Sequence, residues 1–489
     1  MNQFDLLVDE CEKHVRDGQT SRAAHVLRLL TIKSIPRIHR LKIANLCRRV
    51  MLIRRGLMVL APIVLDRESK FISKGATPAE IAEYAALLLR VGAVNEAIGI
   101  LENLNREKTP EANLYLAFCR FALWENGLAA DSLRTYLQFG LTPYMSLVGK
   151  VNLAAALVDE KGSREECLAL LAENIEYAKR EGFQRLLGNC YELRAQLFLS
   201  ERKFAPARSD IDASYALFAS DKSLGNHYAR KWDAILQGMK SKNPEPIDRF
   251  RKEAQKIGHY ESVREADLYR LKVEFDLRRF SYLYMGTPFL AYRKRIEKEL
   301  GQNFSQKSYR FGYRNSKCIE LEDFSVDGKA MLKPAKNTHR LVEILLRDFY
   351  KPMSLGELFS AVFPQERFDV YHSTDRLHKI IRRARRELKD TGLPITVEEV
   401  EQRYRIELIG PIAIEIPLAE RKINFNNAHL QVLQKNMMAE KEFSALEGRE
   451  VLGFSKASFN RFINAILLEG LAVRLYTGPA TRYRLTKGS

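Results

Sequence analysis

From residue 1 to about residue 300, apolar side chains recur every three or four positions and seldom every second one. That period matches the turn of an α-helix and does not suit a pleated sheet, so this part must fold as helix against helix. One unit runs from Glu80 to Leu104. Ile81, Ala85, Leu88 and Leu89 share a face, Gly92 supplies a turn, and Ala97, Ile98 and Leu101 stripe a second helix. Another runs from Leu187 to Phe218. Tyr191, Ala195 and Phe198 precede a turn near Arg202 and Lys203, and Phe204, Ala207, Ile211 and Leu217 follow it. A lone helical pair leaves an apolar face in water, so several pairs must stack to bury a common core.

These pairs resemble tetratricopeptide-type hairpins, in which small alanines let adjacent helices approach. The Gly and Tyr spacing of that pattern is kept in part, and no fixed repeat length runs through the segment. The resemblance implies a stack whose concave side receives a signal: a partner protein, a small ligand or a second copy of the chain. A spacer or dimerisation unit is the alternative.

At 489 residues the chain exceeds a single core and divides into about two to four domains. Lys and Arg number 79 against 61 Asp and Glu, a net charge of +18, which favours a polyanionic partner such as nucleic acid or an acidic membrane surface. The opening MNQFDLLVDE lacks the basic-then-apolar pattern of a secretory signal. The longest apolar stretch, Gly56 to Leu65, falls far short of the ~18 residues that span a bilayer. A cytoplasmic chain without membrane attachment is expected. Six cysteines are scattered without a CxxC pair, which points to reduced core thiols and away from disulfides or zinc.

Residues 301–316 are polar, aromatic and basic without a helical stripe and read as a linker. From Ile319 to Leu332 the pattern alternates, with Asp327-Gly328 as a hairpin turn. A helix follows over Asn337 to Phe349, and Ser354 is placed to cap a second one carrying Leu355, Leu358 and Phe359. Tyr371 to Lys389 then carries seven basic residues against two acidic ones. Leu377, Ile380, Ile381, Ala384 and Leu388 form its apolar stripe; Arg376, Lys379, Arg383 and Arg386 lie opposite, with His378, Arg382, Arg385 and Lys389 beside them. That charge distribution suits a helix lying along phosphates in a major groove. Ile395 to Leu408 closes the series as a two-stranded wing.

The stretch Ile319–Leu408 resembles the C-terminal effector domain of OmpR/PhoB-type response regulators, with Leu377 to Arg383 and Arg403-Tyr404-Arg405-Ile406 matching its helix core and closing strand. The resemblance implies that the basic helix enters the major groove and that the wing touches the adjacent backbone. The wing glycines of that family are replaced by Gln402 and Arg403, and the wing tip carries Glu398, Glu399 and Glu401, which phosphate would repel. The receiver domain that precedes such effectors alternates strands and helices, and residues 1–300 do not.

A second pattern covers Asn426 to Leu485: a helix over about Ala428 to Ala439, a short helix near Ala445 to Leu452 ended by Gly453, and a third capped by Ser455 and ended by Gly470. Phe459, Phe462, Ile463, Ile466 and Leu467 form its buried stripe, while Lys456, Ser458, Asn460, Arg461 and Asn464 are exposed. In the closing hairpin, Val473, Leu475, Tyr483 and Leu485 point inward, Arg474, Arg482 and Arg484 outward, and Gly478-Pro479 turn the chain. This segment is similar to the general winged-helix repressor pattern of the MarR-like group.

No phosphate-loop, HExxH or GxSxG spacing occurs, and the nine histidines are dispersed, so no enzymatic activity, cofactor or metal is expected. Together the readings predict a mainly α chain: a tetratricopeptide-like helical-repeat solenoid over 1–300 and a linker over 301–316, then two α+β winged-helix domains over 317–410 and 426–489 joined by a linker over 411–425. The implied function is a bacterial DNA-binding transcriptional regulator. Double-stranded DNA would be met by Arg376, Lys379, Arg382, Arg383 and Arg386, by Lys456, Ser458, Asn460 and Arg461, and by Arg474, Arg482 and Arg484. A protein or small-molecule signal, or a homodimer partner, would engage the helical repeats. The rival is a protein-interaction scaffold whose winged helices bind proteins; RNA is the alternative nucleic acid.

Overall fold

Thr77, Pro78 and Glu80 show how the chain punctuates its helices. The Thr77 hydroxyl accepts from the Glu80 amide, the Glu80 carboxylate accepts from the Thr77 amide at 2.7 Å, and Pro78 presets the first helical turn. The helix so opened ends at Gly92, whose φ of +101° is the left-handed conformation that glycine adopts without a Cβ clash. The computed structural model describes residues 3–16, 19–66, 72–73, 75–160, 162–218, 224–313, 315–332, 336–364, 366–418, 433, 442–468, 471–476 and 481–485.

Seventeen α-helices precede residue 301 among these residues. They begin with α1 (Gln3–Arg16), α2 (Thr20–Leu29), α3 (Arg37–Arg49), α4 (Ile53–Val64), α5 (Pro78–Val91) and α6 (Val94–Glu102). Next come α7 (Pro110–Ala122), α8 (Asn126–Tyr136), α9 (Pro143–Leu157), α10 (Arg164–Arg180), α11 (Gln184–Ser200) and α12 (Phe204–Phe218). The series closes with α13 (Leu224–Ser241), α14 (Glu245–Lys256), α15 (Tyr260–Val273), α16 (Leu277–Met285) and α17 (Leu290–Leu300). From α1 to α16 each helix packs on its sequence neighbour, and alternate helices such as α3 and α5, α5 and α7, α9 and α11, α13 and α15, and α15 and α17 also touch. This is how stacked hairpins share one core.

The α5–α6 and α11–α12 pairs are the two hairpins predicted from the sequence. Close approach rests on small residues: Ala85, Ala97, Ala117, Ala129, Ala154 and Ala195 are all fully buried. At Gly149 an added Cβ would lie 2.9 Å from the Tyr136 ring. A polar knot ties three helices together, since the buried Glu83 carboxylate accepts from Arg48 at 2.6 Å, Asn45 at 3.0 Å and the Tyr115 hydroxyl at 3.0 Å.

Beyond α17 the elements are short. They are β1 (Ser308–Gly312), β2 (Cys318–Glu320), β3 (Ser325–Val326), β4 (Lys329–Ala330), α18 (Asn337–Leu345), β5 (Met353–Ser354), α19 (Leu355–Val362) and α20 (Ser373–Asp390). After them come β6 (Ile395–Val400), β7 (Arg403–Leu408), β8 (Ala413–Pro417), β9 (Phe443–Ser444), α21 (Ala445–Leu452), α22 (Lys456–Leu468), β10 (Ala472–Arg474) and β11 (Arg482–Leu485). The chain is therefore mainly α, with its small sheets in the C-terminal part. The order from β2 to β7 follows the predicted strand, helix, helix, basic helix, hairpin.

Two stretches predicted as linkers hold strands. β1 lies within 301–316, and β8 lies within 411–425 as an interior strand of a five-stranded sheet ordered β1-β8-β2-β3-β4. Its Ala413, Ile414 and Ile416 are buried, a three-residue apolar signal too brief to stand out against a linker. Predicted α18 also stops early, at Leu345, because the Asp348 carboxylate accepts from the amides of Tyr350 and Lys351 and turns the chain.

The described residues gather into two compact units. The first joins Met1–Phe304 with Ile344–Lys379 and Glu398–Arg405; the second holds Ser305–Glu343, Ile380–Val397 and Ile406–Ser489. The first unit thus includes residues 344–379, which lie beyond the boundary predicted near residue 317 and make specific contacts within that unit. Tyr350 enters the helical core and donates to Asp267 at 2.9 Å, the Ser354 hydroxyl donates to the Val91 carbonyl at 3.0 Å, and the Phe368 amide donates to Glu96 at 2.8 Å. Within the second unit, Leu433, Phe443, Leu452, Phe459, Phe462, Ile463, Ile466, Tyr483 and Leu485 form a separate core under a β10-β11-β9 sheet.

Candidate functional site

Two places concentrate chemistry. The first is in the helical unit, where α7, α9, α11, α13, α15 and α17 leave a half-open cavity of about 330 Å³ walled by Trp124, Glu192, Tyr228, Lys231, His259 and Arg295 among others. Apolar walls with a few convergent polar groups are the usual composition of a ligand site. Lys231 donates to Glu265 at 2.6 Å. Arg295 spans Asp159 at 3.1 Å, Glu299 at 2.5 Å and Glu265 at 3.7 Å.

Glu265 and Glu299 are held ionised by these cations, while burial raises Asp159 against the pull of Arg295. Burial would raise the Glu299 carboxyl, but Arg295 and Lys272 hold it down at about 2. Burial would likewise raise Glu265, and Lys231 and Arg295 bring it below the ordinary carboxylate range. Glu192 differs. Its Oε1 accepts from Trp232 at 2.7 Å and Gln196 at 3.1 Å, it forms no ion pair among the described residues, and burial raises its pKa against the pull of Lys231.

Helix α15 has a second role. Glu261, Ser262 and Glu265 line the cavity. Between them Arg264, with no exposed side-chain surface, reaches Asp348 at 2.8 Å and the Thr287 hydroxyl at 3.0 Å. Asp267, one turn on, holds Arg251 at 2.8 Å and the Tyr350 hydroxyl at 2.9 Å. One helix therefore carries both a cavity wall and the clamp on residues 348–350.

The second place is the basic helix α20. Its apolar stripe is buried as predicted, and Lys379, Arg382, Arg383 and Arg386 are exposed with no acidic partner among the described residues. Lys379 to Arg386 span about 10 Å of helix at 1.5 Å per residue, roughly three phosphates of one DNA strand. Arg376 is exposed but engaged: it makes a two-pronged pair with Glu366, and its guanidinium lies 3.7 Å from the Phe363 ring centroid. Arg385 is half-buried and donates to the Val397 carbonyl at 2.8 Å, a support for the wing. At the wing tip, Arg405 is paired with Glu398 at 2.6 Å.

In the second predicted winged helix, Lys456 and Asn460 are exposed on α22, while the side chains of Ser458 and Arg461 lie outside the described residues. So do Gly470, the Gly478-Pro479 turn and, apart from Leu433, the helix predicted over Ala428 to Ala439. Arg474, Arg482 and Arg484 are exposed on the β10–β11 hairpin; Arg474 donates to Asn464 at 3.4 Å, and Arg482 donates to the Glu442 carbonyl at 3.5 Å. Tyr483 and Leu485 face inward as predicted, but Val473 is exposed and Ala472 takes the inward position, paired with Leu485. Sequence reasoning missed the cavity charges entirely. A signal existed: Lys231 and Glu265 stand on helix faces otherwise buried, where a charge needs a partner.

No helix among the described residues is long and apolar enough to cross a membrane, and no three His, Cys, Asp or Glu gather there in a metal-holding arrangement. The stacked hairpins define a helical-repeat protein. Among solved structures, the chain is similar to a Rap protein complexed with competence and sporulation factor, at 13% identity over 80% of this chain and 98% of that one, with a TM-score of 0.42. It is also similar to the apo form of RapI, at 10% identity over 58% and 86% respectively, with a TM-score of 0.37. No protein-family model and no curated protein matches the sequence.

Proposed function

We propose that this chain is a non-enzymatic helical-repeat interaction protein, whose stacked helices receive a partner or ligand and whose C-terminal modules act as its effector. The observation that carries this reading is the half-open cavity in the helical stack, where charged groups are paired with each other and walled by aromatic rings. Such pre-organised polar groups orient a bound molecule without the cost of ordering them on binding. The test is cross-linking of the full chain to proteins captured with it, mapped by mass spectrometry. Cross-links concentrated on α7 to α17 support the reading. Cross-links confined to residues 337–485 would move the receiving surface to the C-terminal modules.

A second reading makes the effector a duplex-DNA binder and the whole chain a transcriptional regulator. It is favoured by one feature, the four exposed cations on α20 without an acidic partner among the described residues. Under it, the segments from β2 to β7 and from β9 to β11 are winged helices. The test is a salt titration of DNA binding by the full chain against the Arg382→Ala, Arg383→Ala, Arg386→Ala triple variant. Each lost phosphate contact lowers the log–log salt slope by about 0.9, so a fall of about 2 to 3 is expected. An unchanged slope would leave the protein-interaction reading standing alone.

A further inference from the structure

We propose that the cavity of the helical stack is a binding site for a small organic cation, a primary ammonium or a guanidinium, held against Glu192. This rests on the reading of the stack as the receiving part of the chain and names the chemistry of what it receives. Asp159, Glu192, Glu261 and Glu265 line the cavity, and among the lining residues only Lys231 and Arg295 carry fixed positive charge. Both cations are already engaged, Lys231 with Glu265 and Arg295 with Asp159 and Glu299. Glu261 shares the buried Arg264 at 3.2 Å. Glu192 is the lining carboxylate left without an ion pair among the described residues, and both of its hydrogen bonds fall on one oxygen.

An anion entering here would meet this surplus of carboxylates, and a neutral molecule would leave the Glu192 carboxylate only the Trp232 and Gln196 hydrogen bonds and the more distant Lys231, with burial favouring its protonated form. A cation supplies the missing charge and donates to the free Oε2. The walls suit it as well. Trp124 and Tyr228 line the cavity, and this protein already sets cations over such rings: the Lys231 ammonium lies 4.9 Å from the Tyr228 ring centroid, and the Arg295 guanidinium 6.0 Å from that of Trp124. Size limits the ligand. A half-open volume of about 330 Å³ has room for one amine-bearing metabolite or one cationic side chain.

The experiment is isothermal titration of the full chain with butylguanidinium, its neutral isostere butylurea, and pentanoate, repeated on Glu192→Gln. The variant keeps an oxygen to accept from Trp232 and Gln196, and its urea midpoint by tryptophan fluorescence checks that it folds. Butylguanidinium should bind about 10- to 100-fold more tightly than butylurea, and Glu192→Gln should abolish that preference. Equal binding of butylurea or pentanoate, a preference that survives Glu192→Gln, or no saturation by the cation would overturn the proposal. A blocked acetyl-Gly-Arg-Gly-amide peptide separates the sources of the cation. Binding as tight as butylguanidinium assigns the site to a partner's side chain, and exclusion of the peptide assigns it to a free amine. A partner cross-linked to the stack without any cation binding overturns this proposal alone. Loss of both overturns the reading of the stack as well.

Discussion

Arg264 ties the helical stack to Asp348, one of the contacts that hold residues 344–379 in the first unit. It is a guanidinium with no solvent exposure, and Asp348, 9% exposed, is its partner at 2.8 Å. Burial works against the charge, but Asp348 and Glu261 outweigh it and push the pKa above that of free arginine. The group also donates to the Thr287 hydroxyl and lies 4.9 Å from the Tyr350 ring centroid. Arg264→Leu keeps bulk but leaves a buried carboxylate uncompensated, a loss of about 3 to 5 kcal/mol. Both tryptophans, Trp124 and Trp232, lie in the helical stack, so intrinsic fluorescence reports its unfolding in urea. With a slope near 3 kcal/mol per molar, the midpoint should fall by about 1 to 2 M. Asp348→Asn retains an acceptor for the Tyr350 and Lys351 amides while removing the charge. Combined with Arg264→Leu, it should recover about 1 kcal/mol or more of the loss, because no ion is then stranded. A midpoint shift below about 0.3 M for the single variant would refute the reasoning, since it corresponds to under ~1 kcal/mol and means that the pair is not a buried one.

Three further outcomes follow from particular residues. Glu401 and Gln402 close the β6–β7 turn with φ of +50° and +61°, so Gln402→Gly should raise stability by about 1 kcal/mol; thermal unfolding with no gain would count against a left-handed turn there. His227 sits 4.5 Å from the His259 ring centroid, and burial followed by His259 lowers its pKa to about 4. The unfolded chain therefore binds the extra proton between pH 6.5 and 4, so stability should fall with pH across that window. His227→Gln should flatten the urea midpoint over the same range, and an undiminished slope would assign the effect to other groups. Finally, burial pushes the Cys47, Cys119, Cys167 and Cys190 thiols up to about 12 and Cys11 to about 11, while Cys318 is only half-buried. Alkylation of the native protein at pH 8, read by peptide mass spectrometry, should label Cys318 first; equal labelling of all six would contradict the burial.

What could be read in advance divides along the range of the interactions involved. The α5–α6 and α11–α12 hairpins, the Ser354 cap, the Asp327-Gly328 turn with φ of +51° and +76°, and the stop at Gly453 with φ of +63° are all set by residues within a few positions of one another. A sequence displays such signals directly. The basic face of α20 belongs with them, because exposure alternates along one helix and needs no partner to be recognised. Strand β8 could not be recognised in this way. Its five residues pair antiparallel with β1, where Ser308 stands opposite Pro417, and three of them pair in parallel with β2; nothing local announces a pairing over that distance. The same holds for the grouping of residues 344–379 with the helical unit. That grouping depends on Asp348 meeting Arg264 and Tyr350 meeting Asp267, contacts more than eighty residues apart in the chain.

The cavity is the extreme case, since its charges come from four helices and the loop after α9 and make sense only once those elements are stacked. A lysine and a glutamate 34 residues apart look like two ordinary surface charges until the fold buries them together at 2.6 Å. What the sequence does carry is the cost. Each of these groups occupies a helix face that could have held an apolar residue, and a buried ion pair seldom adds more stability than the apolar contact it replaces. Pairs placed around an open cavity rather than in solid core are therefore better explained by what they can bind than by what they hold together. Glu192 stands out on that ground, as the lining carboxylate without an ion pair among the described residues.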